Sequence, residues 1–302
     1  MKDTVTIVTH SGNFHSDDIF GVATVSLKLE KEGIPFKIVR TRDPSIREKA
    51  DYVLDTGSVY DPDINRFDHH QTGGAGVRDN GVPYATFGLV WKKFGEFLCK
   101  NKEIVDAVEK KLILPIDALD NGVDIFTQVN PAITVYGLRD ITLVFRTTWK
   151  EDEGELYTRF LFLVDIAKKI IQREIIFIED QREANIIIKK TYDTLSDKRV
   201  LVLDRGYDWK DIVTTMPEVM FVVYPKLSDS TWGVQNTRDN LSSYDARVYF
   251  PQSWGGKNDT ELEKVTGVSG SIFCHKNLWM AVAKTKEAAI KLADIALQDA
   301  GN

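Results

Sequence analysis

Cysteine is nearly absent from this chain: Cys99 and Cys274 stand far apart in sequence and form no CxxC pair. That argues against a disulfide framework and a thiolate-held zinc, and it fits a reducing cytoplasm. A basic excess is missing as well. The net charge of −6 leaves no global positive field for nucleic acid, so any polyanion has to be held locally, by metal or by a patch. No apolar run approaches the ~18 residues of a membrane-spanning helix. Met1-Lys2-Asp3-Thr4 passes straight into a strand pattern with no signal-peptide segment, and no internal repeat is evident. What is left is the composition of a soluble globular protein, with 43% hydrophobic and 28% charged residues among 302. That length supports a sizeable core and two domains.

Histidine is scarce too, and its placement carries the argument. Of five histidines, four fall within the first 70 residues. His69 and His70 follow an aspartate in Phe67-Asp68-His69-His70-Gln71, while His10 and His15 run into Asp17-Asp18. Neutral imidazole beside carboxylate is what borderline divalent metals take as ligands. Either pair alone reads equally well as surface residues in loops; the two together favour a metal site.

In chain order, Thr4 to Thr9 is β-branched throughout, as a strand buried on both faces should be. It ends at His10, and Ser16 is suited to cap a helix running from Asp17 to about Glu32. Gly33 stops that helix, and Phe36 to Arg40 reads as the next strand. This strand–helix–strand unit predicts a parallel sheet, whose ligand site lies beyond the carboxyl ends of the strands, where His10, His15 and Asp17 fall. Acids at 17 and 18 also suit a bare helix N-terminus. Tyr52 to Asp55 is a second short strand ending in a ligand type. Helices are expected over 84–100 and 101–110, then Asp117 and Asp120 three residues apart on one helical face. Glu151 to about Leu195 is long and helical, with strands near 199–203, 219–224 and 232–235 and an amphipathic helix over 285–297 following it. Gly267, Gly270 and His275 form a last cluster with candidate substrate contacts. The fold expected is α/β: an N-terminal parallel-sheet domain (1–125), a helical connector (126–195) and a smaller C-terminal α+β domain (196–302).

Taken together, Thr9-His10 with His15 and Asp17-Asp18, Val39-Arg40 with Arg42 and Pro44, Tyr60 to Pro62, Arg66 through Gln71, and Ile116 to Gly122 resemble one family. It is the metal-dependent hydrolase family typified by the melanocyte proliferating gene product, an exonuclease-like branch of the DHH phosphoesterase superfamily. Leu203 to Arg205, Trp209-Lys210 and Gly267 to His275 match its C-terminal half, so the resemblance runs nearly end to end. It implies two divalent ions, usually manganese, at the carboxyl edge of a DHH-type sheet. The implied metal ligands are His10, His15, Asp17, Asp55 and His69, with Asp117 or Asp120 closing the site. His70, with Asp18, takes the catalytic part and faces the substrate phosphate. His15 stands where the superfamily more often has aspartate. Leu278 to Ala283 stands where the family has a glycine-rich turn.

The chemistry also follows from the ligand types. Two metals about 3.5–4 Å apart generate hydroxide at neutral pH and clamp both oxygens of a phosphoryl displacement. Mixed His/Asp ligation favours manganese, with magnesium or another divalent ion as alternatives. Arg40, Arg42 and Arg66 are candidate phosphate contacts. The function expected is a 3′–5′ exonuclease on RNA or short single-stranded nucleic acid, with nucleic acid or nucleotide as partner and no membrane; homo-oligomerisation is left open. The rivals are a small-molecule phosphohydrolase, such as a pyrophosphatase or dinucleotide phosphatase, and a metal-binding protein without turnover.

Overall fold

The computed structural model describes residues 4–243 and 245–301 and divides into two compact units, 1–179 and 180–302. The first unit begins with β1 (Val5–Thr9), α1 (Ser16–Glu32) and β2 (Phe36–Arg40), the strand–helix–strand unit expected from the pattern. A one-turn α2 (Pro44–Arg47), β3 (Tyr52–Leu54), β4 (Tyr60–Asp61) and β5 (Arg66–Phe67) complete a five-stranded sheet. Its order is β2-β1-β3-β5-β4. The first four of these strands run parallel and only β4 is antiparallel. Helices α3 (Thr86–Leu98), α4 (Lys102–Val108) and α5 (Leu114–Asp120) follow, the last two joined by a π-helical turn over Glu109–Ile113.

Burial explains why α1 reads poorly as an amphipathic helix. It lies between the sheet and α3 and is buried over most of its surface, so even Thr24 and Ser26 are enclosed. Their hydroxyls donate to the carbonyls of Phe20 and Val22, each at 2.8 Å, which removes the cost of burying them. Phe14, Leu54, Phe67, Phe87 and Trp91 fill the core, each large side chain contributing roughly 1.5–3 kcal/mol or more of burial energy. That packing holds the carboxyl ends of β1, β3 and β5 side by side.

The stretch expected to form a helical connector differs from expectation. Most of 123–154 is irregular, with turn residues such as Asn130-Pro131 and Gly137, and only α6 (Leu138–Val144) interrupts it. The long helix α7 (Glu155–Thr194) belongs to both units. Its Phe160, Leu163, Val164, Ala167 and Ile171 pack in the first core, and Ala184 and Ile188 join a second apolar cluster with Leu201 and Trp209. The division therefore falls inside this helix, not at the expected 125/126 and 195/196.

The second unit contains β6 (Val200–Val202), α8 (Lys210–Thr214), β7 (Phe221–Pro225), β8 (Trp232–Asn236), α9 (Asp259–Thr266), β9 (Ser271–Cys274), β10 (Met280–Ala283) and α10 (Lys286–Ala300). Its sheet, β6-β7-β8-β10-β9, is antiparallel except for the β6–β7 pair. Among the described residues no helix is long and apolar enough to cross a membrane.

Candidate metal centre

Three neighbouring parallel strands each end in a residue of ligand type. His10 follows β1, Asp55 follows β3, and Asp68-His69-His70 follows β5. The N-terminal turn of α1 adds His15, Asp17 and Asp18, and the last residue of α5 is Asp120. Asp55 sits in the left-handed region, at φ 51°, which an aspartate tolerates better than most residues. Its carboxylate is buried and held by the Thr86 hydroxyl at 3.1 Å.

The side chains converge. His10 Nε2 lies 3.2 Å from Asp18 Oδ2 and 3.2 Å from Asp55 Oδ2. His69 Nε2 lies 3.3 Å from Asp120 Oδ2, 3.5 Å from Asp55 Oδ1 and 3.7 Å from Asp17 Oδ2. These approaches lack hydrogen-bond geometry: His10 Nε2, His69 Nε2, both oxygens of Asp17 and Asp18 Oδ2 are buried without a hydrogen-bond partner. Buried polar atoms are almost always paired, so a group of them facing one point marks a place for something else. Three sets of ligand atoms lie within 4.8 Å of one another: His10, His15 and Asp55; Asp55, His69 and His70; His15, Asp17 and Asp120. Asp55 and His15 each belong to two of these sets.

The electrostatics agree with that donor set. Burial holds the Asp17 carboxyl well above the usual carboxylate range, and the charges of Asp55, Asp120 and Asp18 add to it. Burial pulls His10 down, but the close carboxylates of Asp18 and Asp55 outweigh it and push it up to about 10. His69 is opposed by burial in the same way, and Asp120 and Asp55 raise it to about 10. Asp55 is favoured by burial as the neutral acid, yet His10 and His69 hold it far below the usual range. Crowded acids that draw positive charge onto their neighbours suit a divalent cation. The imidazole and carboxylate donors, with no thiolate among them, fit a divalent metal.

His70 differs from His69. Its side chain is 59% exposed, and its Nδ1 lies 2.8 Å from Asp68 Oδ1. Asp68 also accepts from the backbone amides of Ser58 and His70, so the aspartate of the triplet fixes the loop rather than joining the cluster. The Asp68 hydrogen bond raises the His70 pKa against a smaller opposing effect of burial. Alternation along a strand predicts that adjacent histidines diverge, but β5 ends at Phe67, and both rings approach Asp55 Oδ1, at 3.5 and 3.3 Å.

Several sequence-based assignments need correction. Asp117 is not with the cluster. It is buried beneath α3, where Oδ2 accepts from Arg78 at 2.7 Å and Oδ1 accepts from the Gly88 amide at 3.0 Å. Burial raises its pKa to about 6 against the opposing pull of Arg78. Asp18, expected to be catalytic, accepts from the His15 amide at 2.8 Å and faces His10 with its other oxygen; it caps α1, and the cap residue is His15 rather than Ser16. Arg40 lies over the rings of Phe14 and Phe160 and donates to the Gly12 carbonyl. Arg66 ties the carbonyls of Ile64 and Ala50. Both guanidinium groups are therefore engaged in holding loops. Arg42, by contrast, shares with His10, His15, Asp55 and His70 a cavity of about 210 Å³.

Gly267, Gly270 and His275 lie in the second unit. Gly267 caps α9 at φ 66°, Gly270 donates to Glu263 Oε1, and the His275 ring stacks on Trp279 at 4.9 Å. Each thus has a local structural task. Sequence reading missed Thr86, Arg78 and Gly88. Gly88 had no signal in the pattern: a Cβ there would lie 1.9 Å from Asp117 Oδ2 and 2.4 Å from the Arg78 guanidinium.

A mostly parallel sheet that delivers histidine and aspartate from adjacent strand ends into one cation-seeking cluster defines the class: a metal-dependent phosphoesterase. The chain belongs to the MYG1 exonuclease family, described as "Uncharacterised protein family (UPF0160)", whose model matches residues 6–297. It is 28% identical to the MYG1 protein of Dictyostelium discoideum, over 97% of this chain and 96% of that one. It is 26% identical to the MYG1 exonuclease of Mus musculus, over 95% of this chain and 83% of that one. Among solved structures, RecJ in complex with Mn2+ from Thermus thermophilus aligns over 97% of this chain at 11% identity and a TM-score of 0.27. The present chain spans about half of that protein, 52%.

Proposed function

We propose that this chain hydrolyses terminal phosphodiester bonds of RNA or short single-stranded nucleic acid as a 3′–5′ exonuclease, using two divalent ions, manganese in preference to magnesium. The observation that carries the reading is the set of buried, unpaired atoms of His10, Asp17, Asp18 and His69 facing one cluster. His10, His15, Asp17, Asp55, His69 and Asp120 would hold the metal. When bound, divalent ions there lower the pKa of water and neutralise charge developing on phosphate.

The protein's own groups do the rest. The Ser11 carbonyl orients the His10 ring through Nδ1 and leaves Nε2 facing the cluster. Asp68 holds His70 by Nδ1 and leaves Nε2 for the open side, where it donates a hydrogen bond or proton to the departing oxygen. Arg42 supplies positive charge at the cavity mouth. Support for a nucleic-acid substrate comes from the relatives named exonucleases. Two buried free thiols suit a reducing compartment, the cytoplasm.

The test is protein stripped with chelator and then reloaded with manganese or magnesium, assayed on end-labelled RNA and DNA oligonucleotides, dinucleotides and pyrophosphate. Shortening of 5′-labelled RNA one nucleotide at a time, restored best by manganese, is the expected result. Full activity after verified metal removal, or hydrolysis confined to pyrophosphate, would sink it.

A further inference from the structure

Beside the cluster lies a second cavity, of about 280 Å³, which the roles assigned so far do not use. His15, His70 and Asp120 form one edge, so the cavity opens directly onto the cluster. The opposite walls are apolar: Ile116 and Leu119 from α5, and Leu138 and Leu143 from α6. Two guanidinium groups, Arg139 and Arg146, face the same space. Arg146 is anchored, since its Nε and one terminal nitrogen donate to the Phe14 carbonyl. Arg139 is exposed and has no hydrogen-bond or ion-pair partner among the described residues. The hydroxyls of Ser16 and Thr142, 2.9 Å apart, join α1 to α6 and fix the floor.

An apolar slot with two cations at its rim, ending at a phosphoesterase centre, has a definite complement. The ligand has a flat, mostly apolar body and at least one phosphate, and the cavity has room for a single unit: ligand sites usually run from roughly 300 to 1,000 Å³, and this one, about 280 Å³, lies just below that range. We propose that this cavity holds the terminal nucleoside of the substrate, with Arg139 binding its phosphate and the apolar walls of α5 and α6 enclosing the base. The proposal rests on the phosphodiester reading and adds a place for the end of the chain. A slot for one nucleoside beside the cluster admits an end and sets the unit removed. With no Phe, Tyr or Trp in its lining and imidazole only at the edge, the slot gains little from stacking and should discriminate weakly among bases.

The experiment measures binding, which needs no turnover. Adenosine monophosphate and inorganic phosphate are titrated by calorimetry into the full-length protein in excess chelator, for wild type, Arg139→Ala and Leu119→Trp, with thermal melts to verify folding. The wild type should bind the nucleotide at least about tenfold more tightly than phosphate. Arg139→Ala should weaken the nucleotide by about tenfold or more, the usual scale for a lost charged hydrogen bond. Leu119→Trp, which fills the slot, should weaken the nucleotide and leave phosphate alone. Equal affinity for phosphate and nucleotide, or nucleotide binding indifferent to both substitutions in folded protein, overturns the proposal. Oligonucleotide hydrolysis by the reloaded wild type is scored separately. Its absence alongside nucleotide binding that responds to both substitutions defeats the exonuclease reading and leaves the nucleotide slot standing.

Discussion

Two groups of acids meet α5 within one turn, one at the buried Asp117 and one at the half-buried Asp120, which faces the buried Asp17 of α1. Around Asp117, both carboxylate oxygens have donors, Arg78 and the Gly88 amide, and Glu109 takes the Arg78 Nε at 2.8 Å. Around Asp120, the nearby atoms of Asp17 and His69 are equally enclosed but unpaired. Similar burial and the same residue type thus give opposite outcomes, and pairing is what separates them. A paired buried charge holds two elements together, whereas an unpaired set costs stability unless a ligand completes it. The contrast ties Asp117 to the packing of α5 on α3 and leaves Asp120, three positions on, as the candidate ligand.

The sharpest way to break this comparison is at its most connected unpaired site. Asp55→Ala should reduce oligonucleotide turnover by roughly 10²–10³ or more, since it removes a ligand of two sets. Its melting temperature should stay close to wild type. Near-normal kcat at saturating manganese would remove Asp55 from the ligands. Asp117→Ala should behave in the opposite sense. It removes one of the two acid partners of Arg78, leaving Glu109, and frees the Gly88 amide, so denaturant unfolding should show a loss of about 1–3 kcal/mol, with metal stoichiometry kept in the fraction that folds. A stable variant with reduced metal content would undo the division.

His70→Asn tests the exposed edge of the cluster. With metal content unchanged, kcat should fall about 10²–10⁴-fold, and a substrate with a nitrophenolate leaving group should recover most of the loss. Reduced metal occupancy with no such rescue would make His70 an orienting residue instead. The smallest effect is the pH dependence of Asp117. Its pKa is raised by burial to about 6, so the folded state holds that proton more tightly than the unfolded chain does. The stability tied to it is complete below about pH 4 and is lost as pH rises through about 6. Relative to Asp117→Asn, which cannot titrate, the wild-type melting temperature should therefore drop across that window. A constant difference would show that Arg78 keeps the acid ionised throughout.

How much of this could be read in advance depended on whether a residue's role was local. The strand–helix–strand start and the strand ends at His10 and Asp55 were legible because β-branched runs and turn residues mark them directly. The cluster of His10, His15, Asp17, Asp55 and His69 was legible for the same reason, with ligand types at the carboxyl ends of neighbouring strands. Asp117 and Asp120 could not be separated, because the deciding partners, Arg78 and Gly88, are 39 and 29 residues away from Asp117 in sequence. Arg40 and Arg66 misled for a related reason: composition shows a cation but not the carbonyl it holds. The irregular run before α7 was hidden by the strong helical pattern after it, and α7 itself shows one continuous period although its two ends pack in different cores.

Gly88 has a mechanical consequence. Because it lacks a side chain, the backbone of α3 comes close enough for its amide to grip the Asp117 carboxylate directly. The grip indexes α5 along α3, as a key indexes a shaft. Sliding α5 by one residue would carry Asp120 about 1.5 Å along the axis and about 100° around it, out of reach of His69. The tolerance of the centre is therefore set at a position that holds no ligand and bears no charge, and every side chain tried there, large or small, polar or apolar, should misplace Asp120 through bulk alone.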